Sequence, residues 1–80
     1  MKLPRDLSGK DLVKALERAG YVVTRQTGSH IRLTAGDKDP HHITIPNHSP
    51  LRVGTLSAIL AEVSARLKIS RDQLIVRLFH

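Results

Sequence analysis

The stretch SHIRLTAGDKDPHHITI, residues 29–45, contains the clearest structural pattern of the sequence. Apolar and polar residues alternate in residues 29–34 and again in residues 41–45, and this period of two predicts two β-strands. The intervening residues 35–40, AGDKDP, are typical of a polar turn. We therefore expect the two strands to form an antiparallel hairpin.

The two faces of this hairpin differ in character. One face is apolar and carries Ile31, Leu33, Ile43 and Ile45. The other face carries His30, Arg32, Thr34, His42 and Thr44. Because a sheet must bury one face against other elements, the apolar face should be covered by helices. The second face should then be an open, polar and basic surface with histidines on it.

Towards the N-terminus the pattern adds one strand and one helix. Residues 21–26 are rich in β-branched residues and predict a third strand, joined to the hairpin by a turn at residues 27–28. Before it, apolar residues at helical spacing predict a helix over residues 9–19. Ser8 and Asp11 have the spacing of a capping box, which indicates where this helix begins.

Towards the C-terminus two more helices are predicted. One begins near Gly54, and its apolar stripe consists of Leu56, Ile59, Leu60, Val63 and Leu67. Ser70, with Gln73 three residues later, indicates the start of a further short helix. The order is α-β-β-β-α with an extra terminal helix. We predict one α+β domain over residues 1–80, with a three-stranded antiparallel sheet.

The charge balance narrows the possible partners. Thirteen Lys and Arg residues stand against seven Asp and Glu, for a net charge of +6. Such an excess favours nucleic acid, an anionic membrane surface or an acidic protein as a partner. Tyr21 and Phe79 are the two aromatic residues of the chain. Binding of RNA should therefore depend on backbone charge more than on base stacking.

Composition also bears on where the protein works. The chain has no cysteine, so it has neither a disulfide scaffold nor a thiolate metal site. Its opening, MKLPRDLSGK, lacks the apolar run of a signal peptide, and its apolar stretches are too short to span a membrane. We expect a cytoplasmic protein.

His30 is the first candidate for chemistry. An imidazole can both accept and donate a proton near neutral pH. Alternation places His30 on the open face beside Arg32, whose guanidinium can hold a phosphate through charge and paired N–H donors. A base that activates a ribose 2′-hydroxyl and a cation that stabilises the transition state are the minimum for cutting RNA without a metal. The alternative is a solvated surface pair.

Three further histidines follow the second turn. His41 and His42 are adjacent, so they should face opposite sides of the strand. Asp37 and Asp39 lie in the turn without a fixed ligand spacing, which favours other roles over metal binding. His42 could bind phosphate or carry a second proton, and His48 could reach the same face from its loop. For both, the alternative is an uninvolved surface histidine.

Two other segments could contact an RNA backbone. Gly28 suits a hairpin turn with positive φ, and Ser29 could donate to a phosphate or cap the turn. Lys10, Lys14 and Arg18 recur every four residues and share one face of the first helix. That face is either merely solvated or a surface for RNA backbone, as in proteins that bind double-stranded RNA.

These residues, in this order, resemble a known family. The segment SGKDLVKALERAGYVVTRQTGSHIRL (residues 8–33) is similar to the N-terminal half of HicA toxins, with a short helix followed by Gly20-Tyr21, Arg25 and the triplet Gly28-Ser29-His30. The segment ITIPNHSPLRVGTLSAIL (residues 43–60) is similar to their second half. LKISRDQLIVRLF (residues 67–79) resembles the extra helix of longer members. The likeness covers nearly the whole chain.

The resemblance implies a fold like that of double-stranded-RNA-binding domains, and metal-independent mRNA interferase activity without a cofactor. The histidine of the family's Gly-Ser-His triplet falls on His30. The resemblance also implies a HicB-type antitoxin that covers the active face. Many members have a second histidine or an aromatic residue directly after the catalytic one. Here Ile31 stands at that position, and we expect it to belong to the core.

Three hypotheses remain open at this point. The first is an endoribonuclease toxin with His30 as catalytic acid or base. The second is a non-catalytic, basic RNA-binding module of the same fold, and the third is an interaction domain for an acidic protein. For the first two, the predicted RNA-binding residues are Gly28, Ser29, Arg32, Arg25, His42, His48, Lys10 and Lys14.

Overall fold

The computed structural model describes residues 6–79, and expectations for residues 1–5 and 80 lie outside it. The elements are α1 (Gly9–Arg18), β1 (Val22–Thr27), β2 (His30–Ala35), β3 (His41–Pro46), α2 (Val53–Leu67) and α3 (Arg71–Phe79). This order confirms the predicted α+β class. Within the described residues, no helix combines the length and apolar character needed to cross a membrane.

Helix α1 begins with the predicted capping box. The Ser8 hydroxyl accepts a hydrogen bond from the Asp11 N–H at 3.0 Å, and the Asp11 carboxylate accepts one from the Ser8 N–H at 3.1 Å. The pKa of Asp11 is held below its ordinary value, because hydrogen bonds with Ser8 favour the charged carboxylate. The bond with the Ser8 backbone has the larger effect, and the bond with the Ser8 side chain has the smaller one. After the helix, Gly20 adopts a φ of +99°, which lets the chain reverse towards the sheet.

The three strands form a meander in the order β1-β2-β3, and both neighbouring pairs are antiparallel. Ile31, Leu33, Ile43 and Ile45 are all buried, which confirms the predicted apolar face. Helices α1 and α2 pack on this face and contribute the other half of the core. The role expected for Ile31 is thereby confirmed.

Helix α3 packs against α2 and α1. Its buried side chains are Leu74, Ile75 and Leu78. The predicted capping pair is present: the Ser70 hydroxyl accepts from the Gln73 N–H at 3.1 Å, and the Gln73 side-chain oxygen accepts from the Ser70 N–H at 2.8 Å. At the C-terminal end of α3, the Leu78 carbonyl accepts a hydrogen bond from the Arg18 guanidinium, and this bond joins α1 to α3.

Several element boundaries differ from the prediction by one residue, including the start of β1 and the first turn. Tyr21, expected in the first strand, lies between α1 and β1. Its N–H donates to the Leu16 carbonyl of α1 at 3.1 Å, and its ring is buried. The first turn lies at residues 28–29 and not at 27–28, because Thr27 pairs with His30 across it. Neither shift changes which face of β2 or β3 is buried.

The start of α1 lies directly against the end of β3. A Cβ atom on Gly9 would overlap the Pro46 carbonyl oxygen, so the close approach requires glycine. The Gly9 N–H also donates to the His48 carbonyl at 2.8 Å. Since Pro46 pairs with His30 in the sheet, this contact fixes the end of the sheet that carries His30.

Candidate active site

The open face of the sheet carries the polar residues that strand alternation predicted. His30, Arg32, His42 and Thr44 are exposed, and Thr34 is half-buried. The helices α1 and α2 pack on the opposite face. A large ligand can therefore lie across this surface.

A β-bulge in β1 changes which of its residues face this surface. Between Val23 and Arg25 the register advances by two residues in β1 but by one in β2, so Thr24 is an extra residue. Strict alternation would have placed Arg25 on the same side as Val23, under the helices. The bulge pairs Arg25 with Arg32 and turns Arg25 and Thr27 towards the open face.

These strands enclose a shallow pocket of about 210 Å³. Its lining residues are Arg25, Thr27, His30, Arg32 and Thr44. Two guanidinium groups supply positive charge, two hydroxyls supply hydrogen-bond donors, and one imidazole can carry a proton. Thr27 and Thr44 were not among the binding residues predicted from the sequence. Thr44 could have been found from its place on the polar face, whereas Thr27 depends on the bulge.

Ser29 is hydrogen-bonded with the side chain of His30, the candidate catalytic residue. Its hydroxyl and His30 Nδ1 form a hydrogen bond of 3.1 Å, which leaves Nε2 as the ring nitrogen available to a ligand. The turn that carries Ser29 has a φ of +22° at Gly28. The Ser29 carbonyl accepts a hydrogen bond from the Asn47 N–H at 2.8 Å. The phosphate contact and the turn cap considered from sequence stay predictions, and the hydrogen bond with His30 is a contact that the sequence did not predict.

His42 lies on the same face but outside this pocket. Its Nδ1 hydrogen-bonds the Thr34 hydroxyl at 2.8 Å, and that hydroxyl also bonds the Thr24 hydroxyl at 2.9 Å. His42 pairs with Thr34, four residues after His30 in β2, and at about 3.4 Å per residue this is about 14 Å along the sheet. His42 is therefore not among the residues that the pocket brings together with His30.

His41 faces the helices, as its position next to His42 predicted. Its Nδ1 shares a hydrogen bond of 2.7 Å with the Tyr21 hydroxyl, and its Nε2 one of 3.2 Å with Glu62 Oε1. The Tyr21 and His41 rings meet edge to face with centroids 5.9 Å apart. Both nitrogens of His41 are thus used to join β3 to α2 and to the end of α1.

Tyr21 provides a test of this arrangement through pH. Burial raises the pKa of its phenol above the ordinary value of 10.0; Arg66 opposes this effect and Glu62 adds to it. In the unfolded chain Tyr21 ionises first, so the free energy of unfolding should fall as the pH rises above about 10. The free energy of unfolding is measured by denaturation at several pH values for the wild type and for Tyr21→Phe. In this alkaline range it should fall less steeply with pH in the variant than in the wild type.

A direct optical measurement complements that comparison. The chain has one tyrosine and no tryptophan, so the ultraviolet absorbance of phenolate reports Tyr21 alone. We expect its titration in the native protein to lie at higher pH than in denaturant. Identical titration curves in the two states would contradict the burial described above.

Not all the predicted RNA-binding residues come together. Lys10 and Lys14 line a groove between α1 and β1, on the helix side of the sheet. His48 is exposed in the loop after β3. The pocket around His30 therefore gathers Arg25 and Arg32 but not these three residues.

Comparison with protein families adds an independent observation. A family model described as the HicA toxin of bacterial toxin–antitoxin systems matches residues 9–64, well over half of the chain. The chain belongs to the HicA toxin family. No match was found among curated proteins or among solved structures.

The matched part of this HicA family member contains the whole pocket. The Gly28-Ser29-His30 triplet and the lining residues all lie within residues 9–64, whereas α3 lies beyond the match. Membership in a toxin–antitoxin family indicates in general terms an RNA substrate and an antitoxin partner. The resemblance drawn from the residues is confirmed at the level of the family.

Proposed function

We propose that this HicA family member is a metal-independent endoribonuclease that cuts mRNA, with His30 as its catalytic residue. The observation that carries the proposal is the pocket in which His30 lies beside two arginines, with its ring held by Ser29. A proton carrier and a pair of phosphate-binding cations in one accessible pocket suit the cleavage of a phosphodiester.

The proposed reaction uses the substrate's own 2′-hydroxyl as the nucleophile. His30 Nε2 takes the proton from this hydroxyl. For this step the neutral ring carries its own proton on Nδ1, the nitrogen that is hydrogen-bonded with the Ser29 hydroxyl, so Nε2 has the free lone pair of a base. The 2′ oxygen forms a bond to phosphorus, and the bond between phosphorus and the 5′ oxygen breaks. The products are a 2′,3′-cyclic phosphate and a 5′-hydroxyl. The 5′ oxygen takes its proton from water, because the pocket is open and His42 is distant.

The arginines stabilise the charge that develops during this step. Arg25 and Arg32 are register partners, so their guanidinium groups can approach one phosphate region from two sides. Thr27 and Thr44 add hydroxyl donors at the rim of the same pocket. The charge stabilisation therefore comes from residues on all three strands.

The inhibitor in this proposal is a HicB-type antitoxin that covers the open face. An antitoxin that blocks RNA access has to occupy the pocket around His30. The exposed Arg25 and Arg32 favour carboxylates on the contacting surface of that partner. The antitoxin is mixed either with the wild-type protein or with the double variant Arg25→Glu/Arg32→Glu, and each mixture is run on gel filtration. The wild-type protein should elute as a complex with the antitoxin, and the double variant should form less of that complex.

The central test is cleavage in the absence of metal. Purified protein is incubated with a long single-stranded RNA, or with DNA of the same sequence, in excess chelator. We expect RNA fragments on a denaturing gel and intact DNA, because DNA lacks the 2′-hydroxyl. Intact RNA together with a salt-sensitive gel shift would instead support the non-catalytic RNA-binding module.

A further inference from the structure

The open face carries its side chains in three rows that run across the strands. The first row is Thr27, His30 and Pro46; the second is Arg25, Arg32 and Thr44; the third is Val22, Thr34 and His42. Strand β2 has six residues, so it offers three positions to this face. The length of β2 therefore sets the number of rows.

The spacing of the rows matches a polynucleotide backbone. Neighbouring rows lie two residues apart along β2, or about 7 Å. The sugar–phosphate backbone of RNA repeats over a similar distance. We propose that the open face is a track for three consecutive phosphates of one RNA strand. The reacting phosphate lies at His30 and the third at His42. The one between them is held by Arg25 and Arg32, which line the same pocket as His30 and so also face the reacting phosphate. The identity of the first phosphate rests on the proposed function.

The second row has the character of an anion site. Arg25 and Arg32 lie opposite each other, and like charges in this position normally destabilise a sheet. Within residues 6–79 neither guanidinium pairs with a carboxylate. The bulge that brings Arg25 to this place is the kind of irregularity that re-aims a side chain beside a functional site. A phosphate between the two groups offsets their repulsion and accepts their N–H donors.

The third row ends in His42, whose imidazole is hydrogen-bonded to a threonine hydroxyl. Thr34 bonds His42 Nδ1 and is itself held by Thr24, so His42 Nε2 is the ring nitrogen available to a phosphate oxygen. The same arrangement holds His30 through Ser29. Because His42 is two rows from the reacting phosphate, it is a binding residue and not a catalytic residue.

The test uses ligands that the protein cannot cut. In 2′-O-methyl RNA the nucleophile is blocked, so binding is measured whether or not the protein is a nuclease. Oligonucleotides with one to five phosphates are titrated into the isotope-labelled full chain and followed by NMR. Each of the first three phosphates should raise affinity about tenfold, the order expected for a charge-assisted hydrogen bond. A fourth and a fifth phosphate should increase the affinity much less. The backbone amides whose NMR signals shift on binding should belong to the residues of the three rows.

Variants separate the rows. His42→Ala should remove the gain from the third phosphate and leave binding of the one-phosphate ligand unchanged. Arg32→Ala should weaken every ligand, because the second row is the strongest anion site. Arg71→Ala removes the same charge from the start of α3, away from the sheet, and should leave the pattern of gains intact.

Two results would overturn the track. One is affinity that rises equally with each phosphate up to the fifth, which indicates unspecific electrostatic binding. The other is a set of shifted amides around Lys10 and Lys14. A protein that shows the three-step pattern but cuts no RNA would refute the proposed nuclease function and support the track. A protein that cuts RNA without the three-step pattern would refute the track alone.

Discussion

Replacement of His30 by alanine should lower the rate of RNA cleavage roughly 10²–10⁴-fold, the usual contribution of one acid–base group. The loss follows because Ser29 holds His30 Nε2 towards the pocket, and the next imidazole on the face is two rows away. The fold should survive, because His30 is exposed and contributes little packing. Cleavage rates are measured under single-turnover conditions, and the fold is checked by circular dichroism.

A matched control shows whether the loss is specific to the pocket. Arg71→Ala changes an exposed residue of α3 outside the sheet and should cleave at the wild-type rate. A folded His30→Ala protein that cuts as fast as wild type would remove His30 from the chemistry. The activity would then have to come from another group on the open face.

Replacement of Gly9 by alanine should destabilise the protein by about 1–3 kcal/mol, the usual cost of overpacking a tight contact. The new Cβ would overlap the Pro46 carbonyl oxygen, which is backbone and cannot rotate away. Helix α1 would have to move off the end of β3 and weaken its hydrogen bond to the His48 carbonyl. Chemical denaturation followed by circular dichroism measures the change in the free energy of unfolding.

Gly54 provides the control for this substitution. It lies in the first turn of α2, and a Cβ there meets no atom within 4 Å. Gly54→Ala should therefore stabilise the protein by up to about 1 kcal/mol through helix propensity. If Gly9→Ala also stabilised the protein, the close approach of α1 to β3 would be wrong.

Local periodicity was enough to predict most of the fold. The alternation around His30 and Ile31 assigned the two faces of β2 correctly, because side chains in a strand must point to opposite sides. Ser8 and Ser70 were recognised as helix starts because a capping box involves residues three apart. Each of these features depends on near neighbours in the chain.

The features that escaped prediction depend on pairing between distant segments. Every residue of β1 is exposed, so its sequence has no burial pattern to reveal the extra residue Thr24 or the orientation of Arg25. The contacts of His41 with Tyr21 and Glu62 each join residues about twenty positions apart in the chain. The side of the sheet on which Lys10 and Lys14 lie follows from the packing of α1.

The chemical form of the cut ends distinguishes attack by the 2′-hydroxyl from attack by water. RNA treated with the wild-type protein in chelator is digested to completion, and the new termini are identified by mass spectrometry. Attack by the 2′-hydroxyl, activated by His30, predicts a 2′,3′-cyclic phosphate or the phosphate formed by its hydrolysis on one fragment, and a 5′-hydroxyl on the other. Fragments with a 3′-hydroxyl and a 5′-phosphate would show that water is the nucleophile and would contradict the account.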